Sequence, residues 1–144
     1  MISHFTGEFR WLSNFYPAAV WFEGMLYPTV EHAYQAAKTL DRVEREMVLA
    51  CETAGRAKRA GRKLTLRADW EDIKLAVMEA LLRQKFAQAD LAEWLLATGE
   101  EPIEEGNNWG DRFWGVCKGE GQNHLGRILM KIRAELRASA ELIR

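Results

Sequence analysis

Three side chains with useful chemistry recur at helical spacing between residues 31 and 38. Glu31, Gln35 and Lys38 share one face of a helix, because residues three, four and seven apart line up across two turns, and Tyr34 takes the alternative position. A carboxylate beside an amine moves protons, and a desolvated amine attacks an electrophilic carbon. The pattern is also typical of a solvated face, but alanines in place of large aliphatic anchors favour a face that looks into a cleft.

A second candidate is the amide of Asn14, which stands among aromatic residues just before Pro17. Taken alone, this asparagine is a turn residue. Its side chain also donates and accepts hydrogen bonds at once, which suits a sugar hydroxyl or the edge of a base.

The segment from Glu104 to Gly115 combines acids, amides and indoles with glycines that let the backbone approach a ligand. Cleavage of a glycosidic bond develops positive charge on the anomeric carbon, and carboxylates near the sugar stabilise that charge. A structural loop or a calcium loop is the alternative, but the spacing of the acids does not match a calcium loop. Further on, Asn123 follows Gly121 at a helix start, where unpaired N–H groups favour an anion.

The elements that must position these residues follow from periodicity and turn signals. They begin with a hairpin over 19–27 with a Glu-Gly turn, a helix capped by Thr29 and running to about Leu40, and helices over 42–50 and 91–97. A long helix capped by Asp69 carries an apolar stripe of Ile73, Val77, Met78, Leu81, Leu82 and Phe86. A terminal helix after Asn123 buries Leu125, Ile128, Leu129, Ile132 and Leu136. The sequence therefore predicts one mainly helical α+β domain over residues 1–144, with a short β-hairpin or small sheet.

Composition sets the broad class. The 144 residues are 48% hydrophobic and 28% charged with a net charge of −1, which is ordinary for a globular protein and gives no general attraction to nucleic acid or membrane. No apolar run reaches the length of a membrane helix and no signal peptide is apparent, so we expect a cytoplasmic protein. Two cysteines and three scattered histidines form no metal-ligand pattern, so reduced thiols and no metal are expected.

Taken together, the segments resemble the NADAR/YbiA-like N-glycosidase family from about residue 5 to residue 137. No single motif is specific, but their order and number are. The matching residues are Leu12-Ser13-Asn14-Phe15, Pro17, Gly24, Tyr27-Pro28, Glu31-His32, Tyr34-Gln35-Ala36, Lys38, Trp70, Met78, Lys85-Phe86, Leu96, Thr98-Gly99, Glu105, Asp111, Trp114-Gly115, Gly121, Asn123, Leu125-Gly126, Leu129-Met130 and Arg133.

The resemblance implies a hydrolase of N-glycosyl compounds that needs no metal and no cofactor. Its substrates would be phosphorylated ribosylamino-pyrimidines of early riboflavin biosynthesis, or ADP-ribose attached to a guanine base in nucleic acid. Carried over by position, the catalytic residues are Lys38, Glu31, Glu105 and Asp111. The substrate-binding residues are Asn14, Phe15, Tyr34, Gln35, Trp109, Trp114, Gly115 and Asn123.

Two other classes of function stay open. The basic stretch from Arg56 to Arg67, which has no acid between Glu52 and Asp69, is compatible with a nucleic-acid-binding module or with a solvated surface. The same arginines are also suited to hold the phosphate of a nucleotide substrate. The other class is a non-catalytic sensor that binds an ADP-ribose-like ligand and leaves its glycosidic bond intact.

Overall fold

The computed structural model describes residues 1–143, which form six α-helices, four short strands and a 3₁₀ helix over Gly7–Leu12. The elements in chain order are β1 (Val20–Phe22), β2 (Met25–Tyr27), α1 (Val30–Ala37), α2 (Arg42–Leu49), α3 (Ala54–Gly61), α4 (Trp70–Lys85), α5 (Ala89–Ala97), β3 (Gly106–Asn107), β4 (Val116–Cys117) and α6 (His124–Ile143).

The chain divides into two compact units, one formed by Asn14–Lys85 and the other by Met1–Ser13 with residues 86–143. The first is called the central unit below and the second the terminal unit. The predicted class, a mainly helical α+β fold with a short hairpin, is confirmed. The assignment of residues 1–144 to one domain stays a prediction.

The central unit begins with the predicted hairpin. Strands β1 and β2 are antiparallel, with Val20 opposite Tyr27, and both of these side chains are fully buried. Glu23 and Gly24 form the turn with φ values of 43° and 86°. Two successive residues with positive φ match the right-handed twist of the strands, and this requirement explains the glycine.

Helix α1 begins where the sequence predicts and ends earlier. Thr29 has extended backbone angles, and its hydroxyl accepts the His32 N–H at 3.0 Å. The helix was predicted to run to about Leu40, which was wrong, because α1 ends at Ala37. After Ala37, the Lys38 carbonyl accepts the Arg67 N–H at 2.7 Å in place of an N–H further along the helix.

The ring of His32 fastens the start of α1 to the loop before α3. Its Nε2 lies 3.0 Å from the Cys51 carbonyl and its Nδ1 lies 2.7 Å from the Thr29 hydroxyl. A carbonyl only accepts, so Nε2 carries the proton and Nδ1 accepts from the hydroxyl. Thr29 therefore serves as helix cap and as donor to the ring.

Small residues allow α1 to lie inside the central unit. All eight of its residues are buried, so its alanines are core residues. Helix α3 presents buried Ala54, Ala57 and Gly61, and α1 contacts α2, α3 and α4. The predicted stripe of α4 is buried at Met78, Leu81 and Leu82 and half-buried at Ile73 and Val77. Asp69, predicted to cap this helix, uses both carboxylate oxygens to accept from the Arg67 guanidinium.

In the terminal unit, helix α6 buries Leu125, Ile128, Leu129 and Ile132, as predicted, with Leu136 half-buried. The predicted loop over 99–122 contains the parallel pair β3–β4. Part of the aromatic content serves this core, since the Trp11 ring lies 6.3 Å from the Phe86 ring and 5.9 Å from the Trp94 ring.

Within residues 1–143, no helix combines the length and apolar character needed to cross a membrane. The same residues contain no group of three or more His, Cys, Asp or Glu side chains placed to hold a metal ion. Both cysteines are free thiols. The cytoplasmic location stays a prediction.

Replacement of Thr29 by valine is expected to lower the free energy of unfolding by about 1–2 kcal/mol, because it removes the cap of α1 and the donor to His32. Thr53→Val is the matched control, since Thr53 is exposed and caps α3 through a single bond from the Arg56 N–H. Urea unfolding monitored by circular dichroism measures both. Equal losses in the two variants would contradict the role given to the His32 contact.

Candidate functional site

The carboxylate of Glu31 is held inside the central unit at the start of α1. Its side chain is 7% exposed, and its Oε1 accepts a hydrogen bond from Gln35 Nε2 at 2.8 Å. Burial raises the pKa of this carboxyl above the ordinary value, while the bond from Gln35 and the charges of Lys58 and Lys38 oppose that rise. The protonated form of Glu31 is therefore more accessible than that of a surface glutamate.

The amide of Gln35 lies between Glu31 and α3. Its Nε2 bonds the Glu31 carboxylate, and its Oε1 is buried and has no hydrogen-bond partner among residues 1–143. A Cβ at Gly61 would overlap this Oε1. Glycine at position 61 therefore makes the space that lets Gln35 reach Glu31.

Lys38 follows α1 directly and is half-buried. Its Nζ lies 5.7 Å from the centre of the Tyr34 ring, and that ring packs on Trp70 at 5.1 Å. Burial lowers the pKa of the Lys38 ammonium, and nearby cations lower it further, while the charge of Glu31 raises it. Both members of the Glu31–Lys38 pair are therefore shifted toward their neutral forms.

Asn14 lies against the same helix. Its carbonyl accepts the Glu31 N–H at 3.1 Å, which joins the two predicted segments. Its side chain makes a long contact of 3.6 Å from Nδ2 to the sulfur of Met78, and its Oδ1 is buried with no partner in the described chain. Phe15, the next residue, is 43% exposed. The structure thus brings five predicted residues together in the central unit: Asn14, Glu31, Tyr34, Gln35 and Lys38.

Lys85 was not among the predicted site residues, although its motif contributed to the resemblance. It is fully buried at the end of α4, and burial lowers the pKa of its ammonium to about 7. Its Nζ lies 5.7 Å from the centre of the Tyr16 ring. The signal was available, because Lys85 continues the row of Met78, Leu81 and Leu82 on the buried face of α4.

In the terminal unit, the Asn123 side chain joins the start of α6 to the segment over residues 103–105. Its Oδ1 accepts the Glu105 N–H at 3.0 Å, and its Nδ2 donates to the Ile103 carbonyl at 2.9 Å. Its φ of 53° is left-handed. The sequence predicted Asn123 as a helix cap and ligand-binding residue, and the structure places both ends of its amide in bonds to the backbone of Ile103 and Glu105.

The carboxylate of Glu105 is held by a neighbouring amide. Its Oε2 accepts from Asn107 Nδ2 at 3.0 Å. Gly115 is buried beside it, and a Cβ at that position would overlap both the carboxylate and the backbone carbonyl of Glu105. Predicted Glu105, Gly115 and Asn123 therefore come together.

Asp111 shapes the next turn. Its Oδ1 accepts the N–H groups of Phe113 at 3.1 Å and Trp114 at 2.9 Å. The Trp114 ring is half-buried and meets the Phe113 ring edge-on at 4.9 Å. Trp109 is 59% exposed. One carboxylate oxygen of Asp111 therefore stabilises the turn to Phe113 and Trp114.

Comparison with known proteins places these features in a family. The family model described as the NADAR domain matches residues 3–137. A riboflavin biosynthesis protein of Vibrio vulnificus is 44% identical over 133 residues, which are 90% of this chain and 36% of that protein. An N-glycosidase of Nostoc punctiforme is 39% identical over 132 residues, which are 87% of this chain and 84% of that protein. The NMR structure of the Escherichia coli protein YbiA has a TM-score of 0.83 at 34% identity, over 97% of this chain and 89% of that one.

These findings confirm the resemblance identified from the motifs. The chain spans about a third of the length of the Vibrio relative and most of the length of the Nostoc relative. They assign no role to individual residues, so the catalytic and binding roles given above stay predictions.

We expect Gly61→Ala to lower the free energy of unfolding by about 1–3 kcal/mol, because the added methyl group displaces the Gln35 amide. Gly55→Ala in the same helix is the control. A Cβ at position 55 meets no atom closer than 3.9 Å, so this change is expected to be neutral or to stabilise by up to about 1 kcal/mol. Chemical unfolding measures both, and a Gly61→Ala protein as stable as Gly55→Ala would disprove the close contact.

Removal of the Glu31 charge is expected to lower the pKa of Lys38 further, since an anionic neighbour favours the charged ammonium. The test is an NMR titration of ¹³C-labelled lysine in Glu31→Gln. Glu46→Gln serves as the control, because Glu46 is an exposed partner of Arg42 on α2. A rise in the Lys38 pKa in Glu31→Gln would show that the two groups are not coupled in this way.

Proposed function

The chain belongs to the NADAR domain family, and we propose that it is an N-glycosidase that hydrolyses the bond between a ribose and a nitrogenous base. The Nostoc relative is named an N-glycosidase, and so is the Escherichia coli protein YbiA, which is 39% identical over 128 residues. The chain covers most of the length of both. These names support the reaction class and leave the base open.

Two substrates are compatible with this proposal. One is a phosphorylated ribosylamino-pyrimidine, and the name of the Vibrio relative, a riboflavin biosynthesis protein, supports it. The other is ADP-ribose attached to guanine. In the ribosylamino compound the nitrogen that carries the sugar is an amino nitrogen, and its lone pair can open the furanose ring so that an amine can add at C1′. The same route on guanine requires attachment through the amino group.

The observation that carries the proposal is the Glu31–Lys38 pair. Burial raises the pKa of one group and lowers the pKa of the other, so a carboxyl able to donate a proton accompanies an amine able to act as a nucleophile. Glu31 lies in the first turn of the buried helix α1 and Lys38 directly follows its last residue, beside an Asn14 amide whose Oδ1 has no partner among residues 1–143. A sugar hydroxyl is a suitable donor to that oxygen.

The covalent route proceeds through a lysine imine. A proton transferred to the ring oxygen opens the furanose and leaves a C1′=N iminium to the base. The Lys38 amine adds to C1′, a proton passes from its Nζ to the base nitrogen, and the C1′–N bond to the base breaks. Water then adds to the Lys38 imine and releases the sugar aldehyde and the free amine. Glu31 is the group that supplies and recovers protons.

The alternative route stabilises the positive charge on C1′ with carboxylates and orients a water molecule. Glu105 and Asp111 are the predicted carboxylates for it. Asp111 has one oxygen in the turn to Phe113 and Trp114, so its Oδ2 is the oxygen that this role requires. Trp109, Trp114 and Phe15 remain the predicted stacking partners of a base, and Gly115 and Asn123 remain predicted binding residues.

Simple nucleic-acid binding by the basic stretch is the weaker candidate. Arg56 at one end pairs with Glu52 at 3.1 Å, and Arg67 at the other end pairs with Asp69 at 2.6 Å. The charges of Arg56 and Arg67 are thus offset within the chain, which shortens the cationic surface that could follow a phosphate backbone. A non-catalytic sensor would bind the same ligand as the enzyme but would leave its glycosidic bond intact.

The test is a chromatographic assay of base release from a phosphorylated ribosylamino-pyrimidine and from an ADP-ribosylated guanine oligonucleotide. We expect release from one of them. Lys38→Ala and Lys38→Arg are each expected to lose activity by about 100-fold or more, because neither side chain forms an imine. Lys63→Ala, which removes an exposed lysine, is expected to keep it.

Borohydride added during turnover should trap the sugar on Lys38, and mass spectrometry of the peptide would locate it. Near-normal turnover by Lys38→Arg would rule out the covalent route and leave the carboxylate route. Tight binding of either compound with the bond intact after long incubation would refute the enzyme and favour the sensor.

A further inference from the structure

Cationic side chains from two other helices gather around Lys38. They are Lys58 in α3, Arg62 directly after α3 and Lys74 in the second turn of α4, and each one lowers the pKa of the Lys38 ammonium by its charge. Like charges repel one another. An anion bound among these cations would relieve part of that repulsion.

Helix packing places the two cations of α3. Ala54, Ala57 and Gly61 form the buried side of α3, and Gly61 packs against the Gln35 amide of α1. Lys58 and Arg62 each follow one of these buried residues and lie four apart, so they share one edge of α3 beside α1. The effect of Lys58 reaches Glu31 as well as Lys38.

The third cation is placed by α4. The buried Trp70 ring at the start of α4 packs on Tyr34, whose ring lies under the Lys38 ammonium. Lys74 is one turn further along the same helix, so it lies on the side of α4 that faces α1. Its side chain is only 17% exposed, and its Nζ also contacts Glu71 at 2.6 Å.

We infer that Lys58, Arg62 and Lys74 form a phosphate subsite beside Lys38, and that it binds the phosphate on C5′ of the ribose whose C1′ meets Lys38. This inference rests on the proposed function, since it assumes that Lys38 meets a ribose. Arginine and lysine together suit a phosphate group, because the guanidinium gives paired donors and the ammonium gives point charges. The phosphate is a monoester in the ribosylamino compound and a diphosphate in ADP-ribose.

The neighbouring positive charges of the basic stretch provide matched controls. Arg59 and Lys63 belong to the same segment and are exposed. Arg59 lies more than a quarter turn further from the buried edge of α3 than Lys58 does, since each residue turns the helix by about 100°. Arg59→Met therefore removes the same charge as Lys58→Met from the same helix, away from the subsite.

The experiment measures binding of ribose, ribose 5-phosphate and ADP-ribose to the intact chain by titration calorimetry, so it does not depend on turnover. We expect ribose 5-phosphate or ADP-ribose to bind about tenfold or more tightly than ribose. Lys58→Met and Arg62→Met should each lose about tenfold of that preference, Arg59→Met less than about twofold, and Lys58→Arg should retain it. Thermal unfolding of each variant verifies that it is folded.

The outcomes separate the two proposals. Tighter binding of ribose 5-phosphate assigns the subsite to a monoester, and tighter binding of ADP-ribose assigns it to a diphosphate. Equal loss in Arg59→Met and Lys58→Met, or no preference over ribose, would overturn the subsite even if base release is observed. A preference that depends on Lys58 and Arg62 supports the subsite even if base release fails, and then the proposed reaction alone is wrong.

Discussion

The structure of the central unit depends on the burial of a helix that carries charge. All eight residues of α1 are buried, including a carboxylate, an imidazole and an amide. A buried carboxylate is costly unless it is hydrogen-bonded or protonated. The unit offsets part of that cost locally, because the Gln35 amide donates to the Glu31 carboxylate. The space for this arrangement comes from alanine and glycine on α1 and α3.

The same burial shifts the two groups of the predicted catalytic pair. A carboxyl and an amine on a solvated face would both be charged at neutral pH and would be weak as acid and nucleophile. Withdrawn from water, Glu31 and Lys38 shift toward neutral forms, while the cations of α3 and α4 shift Lys38 in the same direction. The buried helix α1 therefore positions the predicted catalytic pair, with Glu31 in its first turn and Lys38 directly after its end.

Local signals predicted much of the fold. The Glu23-Gly24 turn and the Thr29 cap fix their elements through contacts within a few residues, and both were predicted. The early end of α1 was not, because it depends on Arg67, distant in the chain. The role of Gly61 also escaped, since its reason is a side chain on another helix. The burial of Lys85 was not predicted, because a lysine in an apolar row is typical of the edge of the stripe.

The loop of the terminal unit shows why residue type alone does not separate structural from chemical roles. Asparagine and aspartate suit a ligand because they offer oxygens and N–H groups, and they hold irregular backbone for the same reason. The amides of Asn107 and Asn123 bond to Glu105. The Oδ1 of Asp111 accepts the N–H groups of Phe113 and Trp114. A loop without regular hydrogen bonds needs such side chains if its carboxylates are to stay in place. The amides around Glu105 are therefore expected in a loop that positions a carboxylate, whatever that carboxylate does.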